Sequence, residues 1–226
     1  MIRRCLTGLA VAVLAIIALA PGAVLQAETL PALYSVEGVA ADDELNIRAA
    51  PEAGAAILGT IAPDTEGVEV IRLSESGAWG QVGTAEGNGW VAMRYLRPLP
   101  VATGSAPRPF LCHGTEPFWS LNSGAGTGTQ SGAWAAPEER PQSLVVLSAL
   151  DLSEPRFATP SGEMVWFVTL AGRAASGAAE IFSLTVTRGT CSDGMSDRVY
   201  GFEAFVARQT KGEGRAFQGC CTLDMR

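Results

Sequence analysis

Four of the five cysteines, one histidine and a few carboxylates are the residues of this chain whose types and spacing could do chemistry. Cys112 stands beside His113, with Glu116 three positions on, the residue set of a thiol nucleophile, a base and an acid. Cys191 opens the run Cys191-Ser192-Asp193-Gly194-Met195-Ser196-Asp197, where Asp193, Ser196 and Asp197, with Glu116, offer oxygen ligands for calcium. Cys220 and Cys221 are adjacent, and the four thiols with His113 could hold zinc.

Each reading meets a physical objection. Neighbours on an extended segment point to opposite faces, so Cys112 and His113 do not converge on one substrate. His113 is the only histidine, which excludes any scheme needing two. The cysteine spacing lacks a second C-x-x-C-like pair for zinc, and the Asp193 to Asp197 spacing fits no EF-hand loop. Asp193-Gly194 reads instead as a bend, with Asp and Ser oxygens accepting local backbone N–H groups. No complete catalytic set follows, so the chain reads as a non-enzyme for which neither metal nor cofactor is expected.

The first residues argue for export. Arg3 and Arg4 precede an apolar run from Leu9 to Ala20, then Pro21-Gly22, then the small-residue approach Val24-Leu25-Gln26-Ala27 before Glu28. This is the pattern of a signal peptide over residues 1–27, cleaved near Ala27, with a retained anchor as the alternative. After processing, no stable membrane span is expected. Cys5 lies before the apolar run, whereas a lipoprotein cysteine lies directly after it. In a periplasmic or secreted chain, Cys112, Cys191, Cys220 and Cys221 then read as two disulfides. On an extended strand Cys220 and Cys221 face opposite ways and need different partners. Cys191 with Cys220 and Cys112 with Cys221 is the favoured pairing, the swapped one its alternative.

Loss of Arg3 and Arg4 takes the formal net charge from −7 to −9. An acidic surface opposes nucleic-acid binding, which needs basic groups to displace phosphate counterions.

The elements that must position these residues are strands. Leu45 and Ile47 alternate with Asn46 and Arg48 over 44–48, and further strands are expected at 57–61, 68–73, 79–82 and 90–92. Pro51, Pro63-Asp64, Ser76-Gly77 and Gly87-Asn88-Gly89 supply the turns. Strands this short bury a face only by closing into a small barrel, filled by Leu45, Ile47, Ile61, Val70, Val82 and Val91. Pro98, Pro100, Gly104, Pro107 and Pro109 mark a semi-extended linker over 100–109. Beyond it, strands are expected at 118–121, 143–150, 163–170, 180–187, 199–207 and 215–221, with a side-chain-poor loop at 124–132. Phe182, Leu184 and Val186 against Ser183, Thr185 and Thr187 give the clearest alternation. The fold class is therefore all-β: a small barrel at 40–99 behind a lead-in at 28–39, then a disulfide-tied antiparallel β-barrel or sandwich at 110–226.

Two resemblances refine this. Leu45-Asn46-Ile47-Arg48-Ala49-Ala50-Pro51 and Gly89-Trp90-Val91-Ala92-Met93-Arg94-Tyr95-Leu96 resemble the first and last strands of bacterial SH3 domains, L-N-V-R-x-G-P and G-W-V-x-x-x-Y-L. The resemblance implies a module of exported envelope proteins that holds peptidoglycan peptides or other extended ligands. Asn46, Arg48, Trp79, Trp90 and Tyr95 are its candidate ligand contacts, although Trp90 and Tyr95 also fit packing roles and Arg48 a loop lock. Ala50 replaces the usual glycine, which matters if the loop needs a left-handed residue there. In the second half, Gly114-Thr115-Glu116-Pro117-Phe118-Trp119, Cys191 to Asp197 with Tyr200, and Gly219-Cys220-Cys221 resemble an uncharacterised family of bacterial envelope proteins. That likeness implies no activity.

The expected function is that of an exported non-catalytic envelope protein whose partner is a cell-wall peptide or glycan, or another envelope protein. An envelope hydrolase or inhibitor-like effector, acting through Glu116, Asp193 and Asp197, is the alternative.

Overall fold

The computed structural model describes residues 30–100, 109–152 and 165–223. The expected signal peptide and most of the 100–109 linker lie outside the described residues. Among the described residues, no helix is long and apolar enough to cross a membrane.

The first domain wraps two short sheets around one core. Strands β1 (Ala32–Val36), β2 (Leu45–Arg48), β3 (Ile57–Ile61), β4 (Glu66–Val70), β5 (Arg72–Leu73), β6 (Trp79–Gly83) and β7 (Asn88–Ala92) lead through a 3-10 turn (Met93–Tyr95) to β8 (Leu96–Pro98). They form sheets ordered β4-β1-β8 and β3-β2-β7-β6-β5. Tyr34, Val36, Leu45, Ile47, Val68, Val70, Val82 and Val91 fill the space between them, with Ile61 partly buried against the cluster. The domain starts earlier than the expected boundary at 40, because β1 pairs with both β4 and β8.

Asn88-Gly89 is not the hairpin turn that the dipeptide suggests. The turn falls one step earlier, closed by the Thr84 N–H to the Gly87 carbonyl (2.8 Å) and by the Gly87 N–H to the Thr84 hydroxyl (3.1 Å). That leaves Asn88 on β7, free to point outward. Ala50 is not among the non-glycine residues with positive φ, Asp64 and Glu138, so its methyl group meets no left-handed backbone.

The second domain is a closed barrel rather than a sandwich. β9 (Phe110–Thr115), β10 (Phe118–Asn122), β11 (Gly132–Ala135), β12 (Gln142–Asp151), β13 (Val165–Arg173), β14 (Ala179–Ser192), β15 (Val199–Thr210) and β16 (Glu213–Leu223) pair each with the next, and β16 pairs back onto β9. Closure is what removes the unpaired edges of a sheet. Two of these strands, β9 and β11, have no counterpart among those expected from the sequence. The interior holds Trp119, Trp134, Trp166, Phe110, Phe182 and Phe202 amid aliphatic residues. Trp119 and Trp134 stack with centroids 5.7 Å apart.

Cys112–Cys221 bridges directly paired residues of β9 and β16, inside the core and at the seam where the barrel closes. Cys191–Cys220 lies on the outer face and ties the end of β14 to β16. At one mouth the Arg208 guanidinium covers Trp134 and Phe182 and pairs with buried Glu180 (2.8 Å) and with Glu139 (2.8 Å). The buried carboxylate is thereby matched by charge and hydrogen bonds, as burial requires.

The two domains share packing. Along β1, Tyr34 and Val36 face the first core, whereas Leu33 points the other way and belongs to the core of the second barrel, where Leu99 also packs. Asn88 bonds both backbone groups of Val199, its amide donating to the carbonyl (3.0 Å) and its oxygen accepting from the N–H (2.7 Å). The Leu223 N–H donates to Glu69 Oε1 on β4 (3.0 Å).

Glu69 makes this junction sensitive to pH. Burial pushes its carboxyl from the ordinary 4.5 up to about 7, against the weaker downward pull of the Leu223 N–H and the Arg198 guanidinium. A raised pKa means that the folded protein holds this proton more tightly than the unfolded chain. The associated stability is complete below 4.5 and is lost as pH rises through about 7. Glu69→Gln keeps the oxygen that receives the Leu223 N–H but has no proton to lose. Denaturant midpoints followed across this range should fall for the natural chain and fall less for the variant. Parallel pH profiles would show that Glu69 does not set the dependence.

Candidate functional site

One concave site collects most of the expected ligand contacts. A cavity of about 330 Å³ on the first domain is lined by the β1–β2 loop (Gly38, Val39, Ala40, Asp43, Glu44), by Leu45, Asn46 and Arg48 of β2, and by Ala53. Trp79 of β6, Ala92 of β7 and Arg94 and Tyr95 of the 3-10 turn complete it. Alternation positions the polar pair: Leu45 and Ile47 turn into the core, so Asn46 and Arg48 turn out. Trp79 and Ala92 are direct partners on β6 and β7, which places the indole at the cavity beside a small side chain. The volume lies at the lower end of small-ligand sites, about 300–1,000 Å³.

Trp90 does not join the other four expected contacts at this cavity. It pairs with Arg48 across β2–β7, and its ring receives the Arg72 guanidinium at 5.5 Å. Tyr95 serves both expected roles, lining the cavity while packing on the core. Arg48 does lock its loop, donating from Nη1 to the Ala55 carbonyl (2.8 Å). The Arg94 guanidinium lies 4.6 Å over the Tyr95 ring. Sequence reasoning missed Asp43, Glu44 and Arg94. The first two belong to the acidic run Asp42-Asp43-Glu44 directly before the Leu45-Asn46-Ile47-Arg48 strand, which was the available signal.

Residues 43–97 match the family model for the bacterial SH3 domain. This segment is a bacterial SH3 domain. No curated protein and no solved structure matches the chain. A bacterial SH3 domain suggests a module for binding cell wall or peptides, and here the groove is formed mostly within the matched segment, with Gly38, Val39 and Ala40 just before it.

The carboxylates of the second barrel are arranged differently. Asp193 Oδ1 accepts the N–H groups of Met195 and Ser196 (both 3.0 Å), and Oδ2 accepts the Tyr200 hydroxyl (3.2 Å). The Ser196 hydroxyl reaches the same carboxylate. These bonds, the backbone ones foremost, hold the Asp193 carboxyl down at about 2. It is charged at any physiological pH and has no proton to give as a general acid. His113 Nε2 stands 4.0 Å from Asp193 Oδ2, and desolvation lowers the imidazole pKa more than Asp193 raises it. Asp197 is exposed beside Gly87 of the SH3 domain, and Glu116 is exposed in the β9–β10 turn. The cysteine-flanked motif is thus a capped turn, and Val199 just beyond it receives Asn88. Among the described residues, no group of three His, Cys, Asp or Glu side chains is placed to hold a metal ion.

Proposed function

We propose that this chain is an exported, non-catalytic cell-envelope protein whose SH3 domain holds a cell-wall peptide or another extended peptide in the groove beside Trp79. The observation that carries this reading is the convergence of Asn46, Arg48, Trp79 and Tyr95 on one cavity of about 330 Å³. Two aromatic faces provide apolar contact area, and polar neighbours supply hydrogen bonds to a peptide backbone. The paired disulfides fit an oxidising compartment and so support export. Saturation of the Asp193 carboxylate supports a non-catalytic role for the second barrel, which serves as the platform on which the SH3 domain is mounted.

Sedimentation of the purified chain with isolated cell-wall sacculi tests this. The natural protein should pellet with the sacculi. Trp79→Ala removes the indole without touching the core cluster and should weaken binding on the order of tenfold or more, as loss of an aromatic anchor does. A chain that stays in the supernatant, or a Trp79→Ala variant that pellets undiminished, would count against the groove.

A further inference from the structure

We infer that β3 is a self-association edge, through which two copies of this chain pair antiparallel about a two-fold axis into one continuous sheet. The two small sheets of the SH3 domain leave four edge strands among the described residues, β3, β4, β5 and β8. Natural edges are kept from pairing by charge, proline, shortness or cover. Three of these four are guarded in such ways. β4 carries Glu66 and Glu69, and Glu69 is bound to Leu223 of the second barrel. β5 is two residues long and carries Arg72, and β8 is three residues long with Arg97 and Pro98. β3 has none of these devices. Its five residues lie inside a run from Ala53 to Ala62 that holds no charged residue and no proline. Ile57 and Leu58 are 55% and 53% exposed. The strand pairs only with β2, so its outer row of N–H and C=O groups takes no strand among the described residues.

Neutrality selects the occupant. The chain carries a net charge of −7, so two copies repel over most of their surfaces, but at β3 neither brings a charge to the contact. An antiparallel pair is its own complement under a two-fold, which lets one edge serve both partners. Because the other three edges are guarded, assembly closes at two copies instead of growing into a fibre. The axis runs perpendicular to the sheet. The Asn46 and Arg48 faces of both copies therefore look the same way, with the two β2 strands about 14 Å apart, three strand spacings. Strands this short bury less than the about 1,200 Å² of a standard interface, so the pair is weak, with Kd on the order of 100 μM. The pairing does not depend on what the groove holds.

Sedimentation velocity and amide NMR of the purified chain, from a tenth of that Kd to ten times it, test the inference. The average mass should rise from monomer toward dimer and no further, and the amides that move with concentration should be those of 57–61. Leu58→Lys, at an exposed position outside the core cluster, sets like charges near one another across the two-fold and should weaken pairing by about tenfold. Added salt should strengthen pairing of the natural chain, because it screens the net negative charge of the two copies. Monomer throughout, growth past dimer, or concentration-dependent shifts away from β3 overturns the inference without any variant. Undiminished pairing by a Leu58→Lys chain with an otherwise unchanged amide spectrum overturns it too, as does weakening by salt, which would mark ion pairs on another surface. Shifts at β3 on adding solubilised cell-wall peptides, with none on concentration, would give the edge to a ligand strand in place of a second copy.

Discussion

A chain with Cys112 and Cys221 both replaced by alanine should lose about 4–5 kcal/mol of stability, more than any loss from the other bridge. Cys112–Cys221 spans 109 residues and Cys191–Cys220 spans 29. By loop-closure entropy the longer crosslink contributes about 4–5 kcal/mol and the shorter about 3–4. Position widens the difference. The inner bridge joins the pair of strands that closes the barrel, where four register pairs from Cys220↔His113 to Leu223↔Phe110 hold the seam. Without it, β9 and β16 can separate, and each then becomes an exposed edge. The outer bridge holds the arm after β14, whose capped turn has its own hydrogen bonds. Denaturant midpoints of the two double-alanine variants, measured side by side, decide the matter. A larger loss from removing Cys191–Cys220 would show that the seam does not depend on its crosslink.

The sulfur connectivity was legible in part, because period-two alternation is a local rule that excludes a Cys220–Cys221 bridge but leaves both other pairings open. Cys220 and Cys221 must face opposite sides of β16, and the structure sends one outward to Cys191 and one inward to Cys112. The same rule made Leu45 and Ile47, and Phe182, Leu184 and Val186, readable as inward faces. It could not find β9, whose Gly114 interrupts the apolar pattern because a Cβ there would strike the Trp119 indole and the Gln218 carbonyl. Nor could it find β11, four residues long behind a glycine-rich loop. The groove was legible through its aromatic and polar residues. Its acidic lip was not, because exposed carboxylates before a strand look like ordinary solvated surface until a cavity is seen beside them. Asn88 misled for a physical reason as well. Asn-Gly tolerates positive φ and so favours turns, yet here the Thr84 hydroxyl closes the hairpin and the asparagine amide serves Val199 instead.

Leu33 was the residue hardest to foresee, and it carries the second large expectation. Its strand is buried on both faces, with Tyr34 and Val36 in the SH3 core and Leu33, 4% exposed, in the core of the second barrel. Little within the first hundred residues requires that, since the cluster that takes up Leu33 is built mainly from residues 110–223. The SH3 domain therefore completes the apolar packing of its neighbour. Leu33→Asp removes that contact and places an unpaired carboxylate in an apolar core, so about 4 kcal/mol or more should be lost. The SH3 core itself is untouched by the change, because the side chain at 33 points away from it. Unfolding of the natural chain should then be a single transition, whereas the variant should melt in two, the second barrel first. Calorimetry of both proteins distinguishes the cases. A variant that still unfolds in one step at an unchanged temperature would mean that the Leu33 contact is not what joins the two barrels.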